Sequence, residues 1–329
     1  MVVKINDVAK EAMVSIATVS RVVNNIPIVN EETRLRVEAA IRKLNYKPNA
    51  IARSLKLQKT HTIAVITYDI AKLSSTSAVR GIEDYGSDNN YNVIIFNTFN
   101  EPGKELKAAD LAYQKQCDGV IVLGMDLSSE FIKALSDLSI PVIVVSHHSD
   151  KFPFVSISEL DASYEAACLL IESGHKDIAI LESIDAEQSL KCDGFTKALE
   201  AAGIQPTQDW IVKVPITYEG GFEAMSRLLE EDNTPTAVLC ANDDMACGAI
   251  RAAEQHNLRV PDDISVIGFY DFPISKWNNP AITTIGFNSY ELGRAGMKML
   301  IDLMGDPQAV SESMTLPHTL IERNSVKRI

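Results

Sequence analysis

The chain has 329 residues, 46% hydrophobic and 23% charged, which predicts a sizeable globular core and argues against disorder as the main state. No apolar run reaches the ~18–20 residues a membrane helix needs. The N-terminal stretch lacks an apolar h-region and a cleavage site, so a cytoplasmic protein is expected. Five cysteines in apolar contexts, without a C-x-x-C pair, fit free thiols in a reducing compartment. The net charge of −13 is uneven: residues 1–60 hold eleven basic and five acidic side chains, +6, and the rest carries −19. That asymmetry suits a small basic head that attracts phosphates and a large acidic body that repels them.

The first 45 residues predict three short helices. Residues 7–12 put Val8, Ala9 and Ala12 on one face. A tight turn follows at Met13-Val14-Ser15, then a second helix over about 16–24 with Val19, Val22 and Val23 at helical spacing. A third begins after Asn30, a good N-cap, with Glu31 and Glu32 in the first turn and Val37, Ile41 and Leu44 on one face. Tyr46-Lys47-Pro48-Asn49 breaks the pattern, Asn49 can cap a short helix through Leu55, and residues 56–60 read as a polar linker. Two helices about a tight turn have the helix-turn-helix shape, whose second helix enters the major groove of DNA. Burial of Val19, Val22 and Val23 leaves Ile16, Ala17, Thr18 and Arg21 facing outward. Arg21 can donate two hydrogen bonds to a guanine, and Ile16 and Ala17 can touch a thymine methyl. Ser15, Thr18, Ser20 and Asn24 suit phosphate contacts. A purely structural three-helix cap is the competing reading.

From His61 onward the texture changes. Strands are predicted at 62–67, 91–96, 119–123, 141–145, 178–181, 237–239 and 264–268, with helices such as 77–88 and 160–173 between them. Near-continuous Val/Ile runs alternating with helices indicate parallel sheets covered on both faces. The units outnumber one ordinary sheet, so an α/β body of two doubly wound subdomains with a ligand cleft between them is expected.

The runs Asp7-Val8-Ala9, Thr18-Val19-Ser20-Arg21-Val22-Val23-Asn24 and Leu44-Asn45-Tyr46-Lys47-Pro48-Asn49 resemble the LacI/GalR family of bacterial transcription regulators. The resemblance continues through Arg80-Gly81-Ile82-Glu83, Ser173-Gly174-His175, Ala241-Asn242-Asp243 and Ile267-Gly268-Phe269, and covers essentially the whole chain. It implies a helix-turn-helix head and a periplasmic-binding-protein-like body, acting as a homodimer on double-stranded, pseudo-palindromic operator DNA. It implies a head over 1–48, a hinge helix and linker over 49–60, and a body over 61–329. Within the body, an N-subdomain would take about 61–159 plus 290–319, and a C-subdomain about 160–289 plus 320–329. The family's wedge leucine falls on Leu55, flanked by Ala52 and Lys56; an apolar wedge in the minor groove unstacks one base step and kinks the duplex. Tyr46 and Asn49 complete the implied DNA-binding set.

In sugar-binding relatives the cleft carries a few polar residues. Those positions fall here on Ser146, Lys191, Asn242 and Tyr270, with Asp271 beside the last, and an aromatic pair falls on Ser74-Ser75. Only the asparagine is kept. A lysine loses the bidentate fork an arginine offers to sugar hydroxyls, yet can meet a phosphorylated or carboxylated metabolite. These departures resemble the catabolite-control branch of the family, whose corepressor is the serine-phosphorylated form of the phosphocarrier protein HPr. Tyr290-Glu291-Leu292-Gly293 and Met297-Lys298 match that branch's helix pattern, with glutamate and lysine in place of its aspartate and arginine. Arg80, Glu291, Arg294 and Lys298 are therefore the candidate contacts for a phosphoserine partner. Solvated positions on an exposed helix are the plainer reading.

No enzyme constellation can be assembled: there is no G-x-G-x-x-G, P-loop or H-E-x-x-H, and neither metal nor cofactor is expected. His147 and His148, near Asp150, would point to opposite faces of a strand. Asp243-Asp244 suit the cap or first turn of a helix. A solute-binding protein without a DNA role is the rival class; it leaves the basic head without a purpose and lacks its signal peptide. The family's tetramers use an added C-terminal helix, and Ile329 follows Leu320-Ile321-Glu322-Arg323 closely, which favours a dimer.

Overall fold

The computed structural model describes residues 3–24, 26–46, 59–99, 101–125, 127–184, 189–306 and 312–329. They fall into two compact units, Met1–His61 and Thr62–Ile329.

In the first unit, helices α1 (Ile5–Glu11), α2 (Ile16–Val23) and α3 (Glu31–Leu44) form the head. Caps fix their ends. The Asp7 carboxylate accepts from the Lys4 N–H at 2.8 Å, which starts α1 two residues before the expected position. Ser15 accepts from the Thr18 N–H at 3.1 Å and Asn30 from the Thr33 N–H at 2.9 Å, each pairing a donor that the first turn leaves open. Asn45 ends α3 in the left-handed region at φ 49°. Val8, Ala9, Ala12, Val19, Val22, Val37 and Ala40 make the core, with Val23, Ile41, Leu44 and Tyr46 half-buried against it. The helical spacing read from the sequence is therefore the packing face.

The second unit holds two six-stranded sheets. Strands β1 (Thr62–Thr67), β2 (Asn92–Asn97), β3 (Gly119–Leu123), β4 (Val142–Val145), β5 (Phe154–Ile157) and β11 (Met314–Leu316) form the first, in the order β11-β5-β4-β3-β1-β2 and parallel throughout. Strands β6 (Ile178–Ser183), β7 (Ile211–Val214), β8 (Ala237–Cys240), β9 (Ser265–Phe269), β10 (Thr283–Gly286) and β12 (Thr319–Ile321) form the second, in the order β12-β10-β9-β8-β6-β7. Only β12 runs antiparallel to its neighbour. Both sheets repeat one doubly wound order, whose switch point leaves a crevice at the carboxyl ends of the strands. All seven expected strands are present. The five others, β5, β7, β10, β11 and β12, have three or four residues each and were not expected.

The helices of the body are α4 (Leu73–Asp88), α5 (Pro102–Gln114), α6 (Ser129–Ser136), α7 (Glu159–Glu172), α8 (Leu190–Ala201), α9 (Tyr218–Glu230), α10 (Asp243–Gln255), α11 (Pro273–Trp277) and α12 (Ser289–Gly305). Helix α12 returns to the first sheet and crosses α4 at backbone distance. A Cβ on Gly81 would stand 2.0 Å from the Tyr290 carbonyl oxygen, and one on Gly293 would stand 1.9 Å from that of Ala78, so the crossing requires glycine on both helices. The chain passes between the sheets three times: from β5 to α7, from β10 to α12 and from β11 to β12. The tail is fastened by His175, buried with its ring nitrogens 3.0 Å from Thr236 Oγ1 and Ser265 Oγ and 3.1 Å from the Lys327 carbonyl. No helix among the described residues is long and apolar enough to cross a membrane. All five cysteines are free thiols.

Candidate nucleic-acid interface and ligand cleft

In the head, α2 turns Val19 and Val22 into the core and leaves Ser15, Ile16, Ala17, Arg21 and Asn24 exposed, with Thr18 and Ser20 half-buried. Among the described residues three ion pairs lie on the other helices, Arg34–Glu31 at 2.9 Å, Lys43–Glu11 at 2.7 Å and Arg42–Glu38 at 3.9 Å; Arg21 takes part in none of them. A guanidinium left outside the head's internal pairs keeps its donors for another molecule. Several expected phosphate contacts already have local work. Ser15 Oγ accepts from the Thr18 N–H and lies 2.9 Å from Thr18 Oγ1, and the Asn24 amide donates to the Ser20 carbonyl at 2.7 Å. Tyr46 packs half-buried on the head's core. Asn49, Ala52, Leu55 and Lys56 lie outside the described residues.

A groove beside α2 is bounded by Asn6, Lys10, Met13 and Ile16. Met13 stands at φ 52° and is 87% exposed, in the turn between the two helices. Sequence reasoning passed over Asn6, Lys10 and Met13. Asn6 and Lys10, four residues apart, share one side of α1, and Met13 joins them from the turn that follows.

In the body, a cleft of about 580 Å³ opens between α4 of the first subdomain and the loops that follow β9 and β10 of the second. Ser74, Ser77, Tyr270, Phe272, Asn288 and Thr319 are on its wall. The loop after β9 is shaped by two successive left-handed residues, Tyr270 (φ 96°) and Asp271 (φ 50°). Its fixed points are buried. Asp243, fully buried, accepts from the Phe272 N–H and from the Thr284 hydroxyl, both at 2.6 Å. Burial pushes the Asp243 carboxyl up to about 7 against these hydrogen bonds. Asp271 pairs with Arg323 from the tail, and Arg323 also donates to Ser275 Oγ and the Ile282 carbonyl, each at 2.8 Å.

The five cleft candidates thus separate. Asp271 is spent on Arg323. Asn242 is the N-cap of α10, its Oδ1 accepting from the Met245 N–H at 2.8 Å, while Asp243 and Asp244 follow in the first turn. Ser146 ends β4 at φ 61°, half-buried. Lys191 and Tyr270 come together, and Glu159 joins them. The Lys191 ammonium is 2.9 Å from Glu159 Oε1 and 3.1 Å from the Tyr270 hydroxyl, which lies 3.4 Å from the same carboxylate oxygen. The ammonium also stands over the Phe269 and Tyr270 rings, 5.0 and 5.3 Å from their centroids. Burial opposes both charges, yet the pair outweighs it: Glu159 is held below the usual carboxylate range and Lys191 well above its ordinary value. Burial pushes the Tyr270 phenol up to about 12, with Lys191 opposing. Sequence reasoning missed Glu159. The helix expected over 160–173 leaves it just outside; the structure makes it the first residue of α7 after the Ser158 cap, and nothing local links it to a lysine 32 positions away.

On the outer face of α4 and α12, Arg80, Glu291 and Lys298 are exposed and Arg294 is half-buried. Arg294 lies 5.2 Å from the Tyr85 ring and 5.9 Å from the Tyr290 ring, Lys298 pairs with Asp302 at 2.8 Å, and Arg80 approaches Asp84 at 3.9 Å. His148 is 3.3 Å from the Ile157 carbonyl and tilts against Phe154. Among the described residues no group of three or more His, Cys, Asp or Glu is arranged to hold a metal.

Comparison with known proteins agrees with this geometry. Residues 4–49 match the bacterial regulatory proteins of the lacI family, and residues 167–326 match a periplasmic binding protein-like domain. Catabolite control protein A of Priestia megaterium is 37% identical over 332 residues, which is 99% of this chain and 100% of that one. The HTH-type transcriptional regulator RegA of Clostridium saccharobutylicum is also 37% identical, over 99% of each chain. Among solved structures, the lac repressor dimer bound to operator and the anti-inducer ONPF superposes with a TM-score of 0.90 at 30% identity, over 99% of this chain and 100% of that one. The transcription regulator CcpA of Lactococcus lactis superposes with a TM-score of 0.75 at 29% identity, over 81% and 99%.

Proposed function

Because the chain belongs to the lacI family of bacterial regulatory proteins, we propose that it is a sequence-specific DNA-binding transcription regulator, in the main a repressor, of carbon and sugar metabolism genes. It works in the cytoplasm as a homodimer on a pseudo-palindromic operator. The observation that carries this reading is the exposed face of α2, where Arg21 stands beside Ile16 and Ala17 on a segment of charge +6 within a chain of −13. Phosphate neutralisation gives the head affinity that falls steeply with salt, and Arg21 gives it a base to read. Leu55 acts as the minor-groove wedge.

Control runs by population shift. A partner or ligand that favours one relative orientation of the two body subdomains sets whether two heads meet the operator together. The first candidate is serine-phosphorylated HPr, docked on the face where Arg80, Arg294 and Lys298 stand on adjoining helices. The second is a small ligand in the cleft behind Tyr270, supported by its volume and mixed polar and aromatic wall.

Fluorescence anisotropy on a palindromic duplex with a central C-G step, at one fixed salt concentration, separates these. Operator binding is expected, and it tightens with serine-phosphorylated HPr but not with the unphosphorylated form. Binding indifferent to both forms moves control to the cleft. No preference for the palindrome over random duplex removes the DNA-reading role.

A further inference from the structure

The loop after β9 holds a conformation that its residues do not favour. Tyr270 and Asp271, at φ 96° and 50°, stand side by side in the left-handed region, where glycine alone is at ease. Such a pair persists only where its surroundings over-determine it. Both residues are on the cleft wall, so whatever holds them shapes the cleft.

Two ties hold the loop. Asp243, at the start of α10, accepts from the Phe272 N–H at 2.6 Å. The other tie comes from the far end of the chain. The Arg323 side chain is only 11% exposed. Its Nη2 pairs with Asp271 Oδ1, and its Nη1 donates to Ser275 Oγ and to the Ile282 carbonyl, each at 2.8 Å. The Ser275 hydroxyl lies 3.1 Å from the same Asp271 oxygen, so fork, hydroxyl and carboxylate close a ring. A lysine would keep the charge and lose the fork.

The guanidinium has a fixed base. The Arg323 N–H donates to Thr283 Oγ1 at 2.9 Å. Two residues on, Ser325 is fully buried; its hydroxyl oxygen accepts from the Thr283 N–H and its carbonyl from the Val266 N–H, both at 2.8 Å. Upstream, β12 arrives from β11 in the first sheet, through His318, which stands 3.0 Å from Glu165 on α7. Thr319 and Ile321 of β12 are on the cleft wall. One short stretch therefore crosses between the subdomains, lines the cleft and fastens its strained loop.

We infer that Arg323 is a positioning residue of the cleft: its guanidinium fork holds Tyr270 and Asp271 in their left-handed pair and couples that loop to the strand that crosses between the subdomains. Without the fork the pair relaxes, the Tyr270 ring leaves its place on the wall, and the balance of subdomain orientations changes. The effect on DNA rests on the reading of the body as the control element of an operator-binding protein.

Hydrogen exchange and operator anisotropy on the full-length protein test the two parts separately. Arg323→Met removes the fork, and Arg323→Lys keeps the charge alone. Ser275→Ala takes one acceptor from the same fork and is the mild variant, should neither of the others fold. In R323M the amides of residues 270–273 are expected to exchange at least about tenfold faster, with those of β8 and of the head unchanged. R323K and S275A should fall between R323M and wild type. Operator affinity of R323M is expected to shift at least about fivefold. Unchanged exchange over 270–273 in every folded variant overturns the proposal. So does exchange that rises equally in β8, since Arg323 would then be a strut of the whole sheet. Faster exchange confined to the loop, with unchanged operator affinity, upholds the hold of Arg323 on the loop and removes the control reading of the cleft.

Discussion

The head and the cleft solve opposite problems with the same kinds of side chain. Among the described residues of the head, Arg34, Arg42 and Lys43 are matched by nearby acids, while Arg21 faces solvent from the last turn of α2. In the cleft, the cation is enclosed: Lys191 is buried against two aromatic rings and closed by Glu159. The difference follows from solvation. An exposed guanidinium keeps its charge at little cost and gains when it meets a phosphate or a base edge. A buried ammonium must be neutralised within the protein, so its partner is part of the fold. An ordinary positive residue is thus a recognition group in one region and a structural one in the other.

Four measurements press on that contrast, from the largest expected effect downward. Lys191→Met leaves Glu159 buried without its cation, and the body is expected to lose ~3–5 kcal/mol in urea unfolding, with the head's own amide protection unchanged. A loss under ~1 kcal/mol would show that solvent, not the pair, neutralises Glu159. Next comes pH. Burial holds the Asp243 carboxyl near 7 in the folded body, above the ~3.9 of an unfolded chain. The folded state then binds more protons between those values, so body stability falls as pH rises through that window, by ~2 kcal/mol from pH 5 to 7. Asp243→Asn keeps an acceptor for the Phe272 N–H and should flatten this slope; an unchanged slope would assign it to other groups.

In the head the effects are smaller and appear in binding. Arg21→Ala should cost ~1–3 kcal/mol of operator affinity and relax preference at one base position, with body stability unmoved. Unchanged specificity in a base-substitution series would remove Arg21 from the reading role. Ser15→Ala removes the cap of α2, and ~1 kcal/mol of head stability should go with it, seen as faster amide exchange in α2 alone. Exchange rising equally throughout the chain would contradict the division into two units.

The sequence by itself determined what depends on neighbours along the chain. The period of Val8, Ala12, Val19, Val22 and Val37 dictates the packing of the head, because a helix repeats its face every three or four residues. Asn30 announces a helix start because a side-chain oxygen three residues upstream is what the first turn lacks, and Ser15, read from the sequence as a phosphate contact, proves to do the same for α2. The long Val/Ile strands of both sheets are equally plain, since burial on both faces leaves no polar alternation. The short, partly exposed strands β7, β11 and β12 offer neither a continuous apolar run nor enough length for alternation, whereas β4 and β8, equally short or little longer but fully buried, do read as apolar runs. Only the tertiary structure decided what the polar residues of the body do. It turned Asn242 into a helix cap and gave Asp271 to Arg323, 52 positions away, and it brought Glu159 to Lys191 and Tyr270 across 32 and 111 positions. The cause is that a buried charge takes its partner from whatever the fold brings within 3 Å, and sequence separation plays no part in that choice.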